Sequence, residues 1–206
     1  MKNIANLTVL TLNQPNIVDF ADARNKMLTL ATTDWVLYLD TDEQISDDLS
    51  QEIKSAIKLT TFDAYSIPRL DTFLGKDLLH GENAHNRFIR LVKKGTGNWE
   101  RPVHEIWVSK GRVGKLNSTI LHQLPDITTF LNKINRYSSI DASYRYSLGS
   151  KSSLFKIAFY PFAKFKYNYL FRGGVLDATP GAVMAIMMSF HSFLTWTKLY
   201  LLWHKK

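Results

Sequence analysis

The stretch WVLYLDTDEQI, residues 35–45, runs an apolar segment into three carboxylates, Asp40, Asp42 and Glu43, in a chain whose net charge is +8. WVLYLD is short and rich in strand formers, the composition of a strand buried on both faces. On extended chain, residues two apart point the same way, so Asp40 and Asp42 are expected to face one site at the strand's end. In open α/β sheets, ligands bind beyond the carboxyl ends of the strands. Two carboxylates there make a hard oxygen site. Mg²⁺ or Mn²⁺ takes one or two protein carboxylates and fills its other positions with water and substrate phosphates. The acidic cluster is therefore expected to hold a divalent cation, and the cation a diphosphate. The alternative is a surface turn with solvated side chains, since Asp-x-Asp is short and common. Against it stand the buried-type strand directly before the motif and the helix with its own acidic first turn directly after.

The rest of the composition sets limits. The chain has 206 residues, 45% hydrophobic and 13% aromatic, enough for one ordinary domain with an appendage and too apolar for disorder. With no cysteine, disulfides and thiolate metal sites are excluded. An isoelectric point near 9.6 points to an anionic partner, and nucleic acid, acidic lipid and phosphorylated small molecules all qualify. The start, MKNIANLTVL, lacks a long apolar core and a small-residue cleavage site, so no signal peptide is expected.

Outward from the opening stretch, helix and strand alternate. Residues 20–31 read as a helix with Met27, Leu28 and Ala31 on one face. In SDDLSQEIKSAIKL, Ser46 is the expected N-cap, Asp47 and Asp48 suit the first turn, and Leu49, Ile53 and Ile57 form one apolar stripe. DAYSIPR, NRFIRLVKK and STILHQL read as strands, and KGTGN as a turn. This is the pattern of an α/β sheet. After Leu124 the character changes. Asp126 is the expected N-cap of a helix, a Lys- and aromatic-rich segment follows, and residues 178–197 carry no charge over about the length of a bilayer span. The expected division is residues 1–125 for the α/β part and 126–206 for a helical C-terminal region.

Three ordered stretches carry a family resemblance. ARNKMLTLATTDWVLYLDTDEQI resembles the family 2 inverting glycosyltransferases, in the bacterial branch that includes lipopolysaccharide-core glucosyltransferases. NRFIRLVKKGTGNWERPVHEIW resembles that branch's second signature, an Arg-rich strand, a Gly turn, a Trp and Val-His-Glu. YPFAKFKYNYLFRGGVLDATPG resembles its ending. The resemblance implies a GT-A fold, an α/β mixed sheet flanked by helices, and displacement at the anomeric carbon of a metal-bound nucleotide-diphosphate sugar, a UDP-sugar. It implies Asp42 as the ligand of a Mg or Mn ion and Asp40 near the ribose or metal. Arg24 and Asn25 fall on the nucleotide side. Arg90 and His104 join the substrate-binding set, and Glu105 matches the general base. Inverting transfer needs a carboxylate to take the acceptor hydroxyl's proton and a metal to absorb charge on the leaving diphosphate. By residue type alone, Glu105 also reads as a solvated or ion-paired side chain, and His104 as a hydrogen-bonded structural residue. Arg87 and Arg90, three apart on a strand, are expected on opposite faces.

The family's front portion, a strand with a Thr-x-Asn ending and a second strand with a base-holding Asp, has no match here. LTVLTLNQPN is a candidate leftover strand, so the chain is expected to be N-terminally incomplete.

In the tail, Lys151, Lys156, Lys164, Lys166 and Arg172 alternate with Phe155, Phe159, Phe162, Phe165, Tyr167, Tyr169 and Phe171. That mixture suits an anionic membrane surface. An ordinary packing helix is the alternative, and nucleic acid is disfavoured for want of a nucleic-acid fold signature. Pro180 and His191 favour a buried or interfacial helix over a span for residues 178–197. The expectation is a membrane-associated transferase, cytoplasmic and peripheral at the inner face of the cell membrane, acting on a saccharide or lipid-linked acceptor. A non-catalytic remnant of the same fold is the second reading. A metal-dependent phosphohydrolase using Asp40, Asp42 and Glu43 with His80, His85, His104 and His122 is the third, and the spacing of these histidines gives it no support.

Overall fold

The computed structural model describes residues 4–13, 17–59 and 61–204, apart from the side chain of His85. Its elements run β1 (Leu7–Leu12), α1 (Phe20–Thr29), β2 (Trp35–Asp40), β3 (Glu43–Ile45), α2 (Asp47–Ala56), β4 (Ala64–Phe73), β5 (Lys76–Asp77), β6 (Arg87–Lys93), β7 (Gly97–Glu100), β8 (Ile106–Ser109), β9 (Val113–Lys115), β10 (Ile120–Gln123), α3 (Ile127–Ser147), α4 (Leu154–Lys166) and α5 (Ala178–His204). They form two compact units. The first runs through Leu70 and resumes over Asn86–Gln123; the second joins Asp71–His85 to the chain from Leu124 onward.

In the first unit the sheet is mixed and follows the order β1-β2-β6-β4-β10-β3. β1 is the candidate leftover strand; it lies parallel to β2, with Leu7 opposite Trp35 and Leu12 opposite Asp40, while Gln14, Pro15 and Asn16 of that stretch lie outside the described residues. β6 runs antiparallel to β2 and β4, and β10 antiparallel to β3. With helices packed on this sheet, the fold is the GT-A type of α/β architecture.

The burial of β2 explains the order. Trp35, Leu37 and Leu39 face Leu49 and Ile53 of α2, together with Tyr65, Leu91 and Ile120. Val36 and Tyr38 face the other way, onto Ala21 of α1 and onto Trp99 and Trp107 of the β7–β8 ribbon. Every apolar position of β2 is thus removed from water, as a central strand requires.

Helix ends follow local chemistry. The Ser46 hydroxyl accepts from the Leu49 N–H at 3.1 Å, and the Asp19 carboxylate from the Asp22 N–H at 2.9 Å. α1 stops at Thr29, short of the expected Ala31, because Leu30 N–H turns back to the Met27 carbonyl at 3.0 Å and tightens the last turn. Gly97, expected in a turn, opens β7. A Cβ there would collide with the Val108 carbonyl and lie 2.7 Å from the Trp107 ring, so only glycine lets the ribbon close.

In the second unit the Asp71–His85 segment is pinned by side chains of the helical region. The Asp177 carboxylate accepts from the His80 N–H and meets the His80 imidazole, each at 2.8 Å. Glu82 takes the Asn168 amide at 2.8 Å and Lys164 Nζ at 3.2 Å. Phe73, Leu78 and Met184 form its core. Asp126 caps α3 through the Thr129 N–H at 3.0 Å. α4 buries no residue completely, and Phe155, Phe159 and Phe162 stay exposed along it. Among the described residues no single helix is long and apolar enough to cross a membrane; the segments Leu154–Phe171 and Gly174–His204 together reach that length with a 72° bend.

Candidate active site

The acidic stretch does not stay extended. β2 ends at Asp40, the chain turns through Thr41 and Asp42, and β3 begins at Glu43. The two-residue alternation expected to aim Asp40 and Asp42 together is therefore interrupted, and each has its own surroundings. Asp42 Oδ2 lies 3.5 Å from His122 Nε2 of β10, with about a third of the Asp42 side chain in solvent (31%). Asp40 is engaged by two guanidinium groups instead. Arg24 Nη2 donates to Oδ1 at 2.7 Å, and Arg90 Nη2 donates to Oδ2 at 2.9 Å.

These contacts belong to a longer ladder of alternating charge. Arg24 Nε also donates to Glu105 Oε1 at 2.8 Å, and Arg90 Nη2 to Glu43 Oε1 at 3.1 Å. Arg69 Nη1 meets the same Glu43 oxygen at 3.3 Å. The order is Glu105, Arg24, Asp40, Arg90, Glu43, Arg69, so three carboxylates face three guanidinium groups. Buried charge is tolerated only when paired in this way. The negative charge at the end of a greasy strand in a basic chain is thus, in large part, the counter-charge of buried arginines. Asp42, the remaining carboxylate of that stretch, lies beside His122.

The electrostatics follow. Burial pushes the Asp40 carboxyl up, but the charges of Arg90 and then Arg24 outweigh it and hold the group down at about 2. Burial works against the Arg90 charge, and Asp40 and Glu43 reverse that, leaving it raised. The Tyr38 phenol, pushed up to about 12 mainly by burial, stays neutral and donates to the Arg24 carbonyl at 3.3 Å.

Arg24 is 1% exposed. Its guanidinium carbon sits 5.1 Å from the Trp99 ring centre and 5.6 Å from that of Tyr38, an aromatic seat for a planar cation. Its neighbour Asn25 binds the Trp99 main chain on both sides, Nδ2 to the carbonyl and the N–H to Oδ1, each at 2.9 Å. The segment between β7 and β8 carries Arg101 and His104 at positive φ (75° and 52°), which L-residues seldom adopt. Glu105 follows, with 17% of its side chain exposed, while His104 is exposed. Arg87 and Arg90 part as expected: Arg87 reaches the Ser66 and Leu116 carbonyls, and Arg90 turns into the ladder.

Residue-by-residue reading of the sequence missed Glu43 as a hub, Arg69 as its partner and His122 as the neighbour of Asp42. The Asp40 N–H donates to Glu43 Oε2 at 2.9 Å, so Glu43 also closes the turn. Its signal was its place beside the acidic pair, three residues after Asp40 and next to a turn. As for a metal, among the described residues no group of three or more His, Cys, Asp and Glu is placed to hold one by protein ligands alone. Asp42 fits a different arrangement: a hard, partly exposed oxygen donor suited to Mg²⁺ or Mn²⁺ whose remaining positions are filled by water and substrate phosphate. His80 is committed to Asp177, and the side chain of His85 lies outside the described residues.

The mixed sheet with helices packed on it, and the acidic turn at the end of its central strand, are those of a GT-A type α/β protein. The chain belongs to glycosyl transferase family 2, whose family model matches residues 2–154. It is 23% identical over 186 residues to the lipopolysaccharide core biosynthesis glycosyltransferase LpsC of Rhizobium meliloti (strain 1021), covering 88% of this chain and 69% of that protein. It is 28% identical over 185 residues to an uncharacterised glycosyltransferase of Rickettsia typhi, covering 83% of this chain and 63% of the relative. A third relative, from Rickettsia prowazekii, is 27% identical over the same shares. The chain therefore spans less than two thirds of the two rickettsial proteins' length.

Proposed function

We propose that this chain moves a sugar from a nucleotide-diphosphate sugar, a UDP-sugar, to a saccharide or lipid-linked acceptor with inversion, in the synthesis of lipopolysaccharide or another cell-envelope polysaccharide. The observation that carries the reading is Arg24 joining Glu105 to Asp40. A carboxylate of base type is held one guanidinium away from the acidic end of the central strand. Membership in the family and the likeness to an enzyme named for lipopolysaccharide core biosynthesis support the substrate class.

The chemistry assigns each group a task. The acceptor hydroxyl oxygen attacks the anomeric carbon from the face opposite the diphosphate. The carbon–oxygen bond to the diphosphate breaks, and the nucleoside diphosphate leaves with the electron pair. The hydroxyl proton passes to a Glu105 oxygen, and the configuration at carbon inverts. Asp42 would hold a Mg²⁺ or Mn²⁺ ion, which supplies Lewis-acid neutralisation of the leaving diphosphate. His104 lines the substrate side in this reading and Asp40 lies near the ribose, while Arg90 and Asn25, engaged with Asp40 and with the Trp99 main chain, support that side from within the protein. The exposed aromatics of α4, with Lys166 at its end, suit adsorption to an anionic bilayer and support the reading of a peripheral protein at the cytoplasmic face of the cell membrane.

The test is transfer from UDP-sugars in the presence of Mn²⁺, with Glu105→Gln as the diagnostic variant. That change keeps size and hydrogen bonding but removes basicity. It should cut transfer roughly 100-fold or more while donor affinity barely moves. Wild-type protein that binds no donor at all would favour the non-catalytic reading. Equal activity in the variant would remove Glu105 from the role of base.

A further inference from the structure

We infer that Arg24 is a positioning residue for Glu105, and that α1 as a whole is the element that fixes the loop carrying the base. The inference rests on the assignment of Glu105 as the base. It reads Arg24 as acting through that residue rather than through the nucleotide.

Four hydrogen bonds join α1 to β7 and the loop after it at three points. The Phe20 N–H donates to the Pro102 carbonyl at 2.9 Å. Asn25 clasps both main-chain groups of Trp99 at 2.9 Å. Arg24 Nε donates to Glu105 Oε1 at 2.8 Å. The chain between the Trp99 and Glu105 anchors contains the two left-handed residues, Arg101 and His104, a costly backbone that persists only where its surroundings hold it. Arg24 is itself immobilised. Its Nη2 is bound to Asp40, its plane rests near Trp99 and Tyr38, and its side chain is 2% exposed. Two carboxylates bound to different nitrogens, Nε and Nη2, of one buried, always-charged planar fork are held at a restricted separation. Lysine offers a point charge and cannot span them. The rigid fork therefore sets where Glu105 meets an acceptor hydroxyl relative to the end of β2, and displacement by about 1 Å can cost on the order of 100-fold in rate.

The experiment compares wild type, Arg24→Gln, Glu105→Gln and the double variant, with Arg24→Lys as the form that keeps the buried charge should Arg24→Gln fail to fold. Hydrogen exchange of residues 100–106 reads the positioning without reference to activity. It should quicken about tenfold in Arg24→Gln and by less in Arg24→Lys, while residues 35–40 stay protected. In transfer assays, Arg24→Gln should lower kcat roughly 100-fold with donor KM within about threefold. The double variant should be no worse than Glu105→Gln alone, since groups acting as one unit do not add. Unchanged exchange in the loop, a loss confined to donor KM, or losses that multiply would each overturn the inference. Quickened exchange in a protein that transfers no sugar would refute the transferase reading and leave the positioning contact standing.

Discussion

The carboxamide of Asn25 behaves as a strand neighbour for Trp99, giving a donor to its carbonyl and an acceptor to its N–H at 2.9 Å each. A helix side chain thereby completes the edge of the β7–β8 ribbon. Trp99 in turn forms an edge-on contact with Tyr38, ring centres 5.1 Å apart. Helix, ribbon and central strand meet at this one residue.

Truncating that clasp should be costly. Asn25→Ala leaves two main-chain groups without their partners, a loss of about 2 kcal/mol. Urea unfolding should show a lower midpoint at an unchanged slope. An unaltered midpoint would mean that water replaces the amide without penalty.

Asp40 makes stability depend on acidity. Its folded carboxyl titrates at about 2 against an ordinary 3.8, so its stabilising share is complete above the unfolded value. That share is lost as the pH falls from about 4 toward about 2. At neutral pH Asp40→Asn should cost about 2 kcal/mol, less than the roughly 3–5 kcal/mol of a fully buried pair, because a third of the side chain reaches solvent (33%). The difference in thermal midpoint between wild type and variant should therefore shrink across that pH window. A difference that stays constant from neutral pH down to pH 2 would contradict the assignment.

Asp42, by contrast, should matter to ligand rather than fold. Asp42→Ala should shift the thermal midpoint by no more than about 2 °C, as changes at partly exposed positions do. Calorimetry should show Mn²⁺ strengthening the binding of a UDP-sugar to wild type and leaving the variant unaffected. The same Mn²⁺ response in both proteins would sink the proposed metal role.

On the second unit, the prediction concerns lipid. The full chain should sediment with vesicles containing anionic lipid, and added salt should release it. Lys166 lies 5.4 Å from the Phe162 ring centre and Arg172 5.0 Å from that of Tyr167, so each cation is carried beside an aromatic residue of the same surface. Replacing both by Ala should weaken binding by about 2 kcal/mol, or roughly 30-fold. Protein that ignores acidic vesicles at low salt would leave those aromatics without a lipid partner.

Much of this molecule is written in local sequence. Complete burial of Trp35 to Leu39, the caps at Ser46 and Asp126, the helix of Leu49 and Ile53, and the parting of Arg87 from Arg90 all follow from local sequence and backbone periods of two and 3.6 residues. Ordered motifs such as the acidic turn and Val-His-Glu indicated the family in the same way. Tertiary structure alone decided which cation answers which carboxylate. Arg24 reaches Glu105 across 81 positions and Arg90 reaches Asp40 across 50, and nothing in residue type or spacing encodes such a pairing. It also decided that the chain turns at Thr41 and Asp42, separating two aspartates that extended chain would have aligned, because Glu43 closes back on the Asp40 N–H. Hydrophobic patterning is a property of neighbours along the chain. Charge compensation in a buried site is a property of neighbours in space, and it exists only once the sheet has brought α1, β2, β6 and the loop before β8 together.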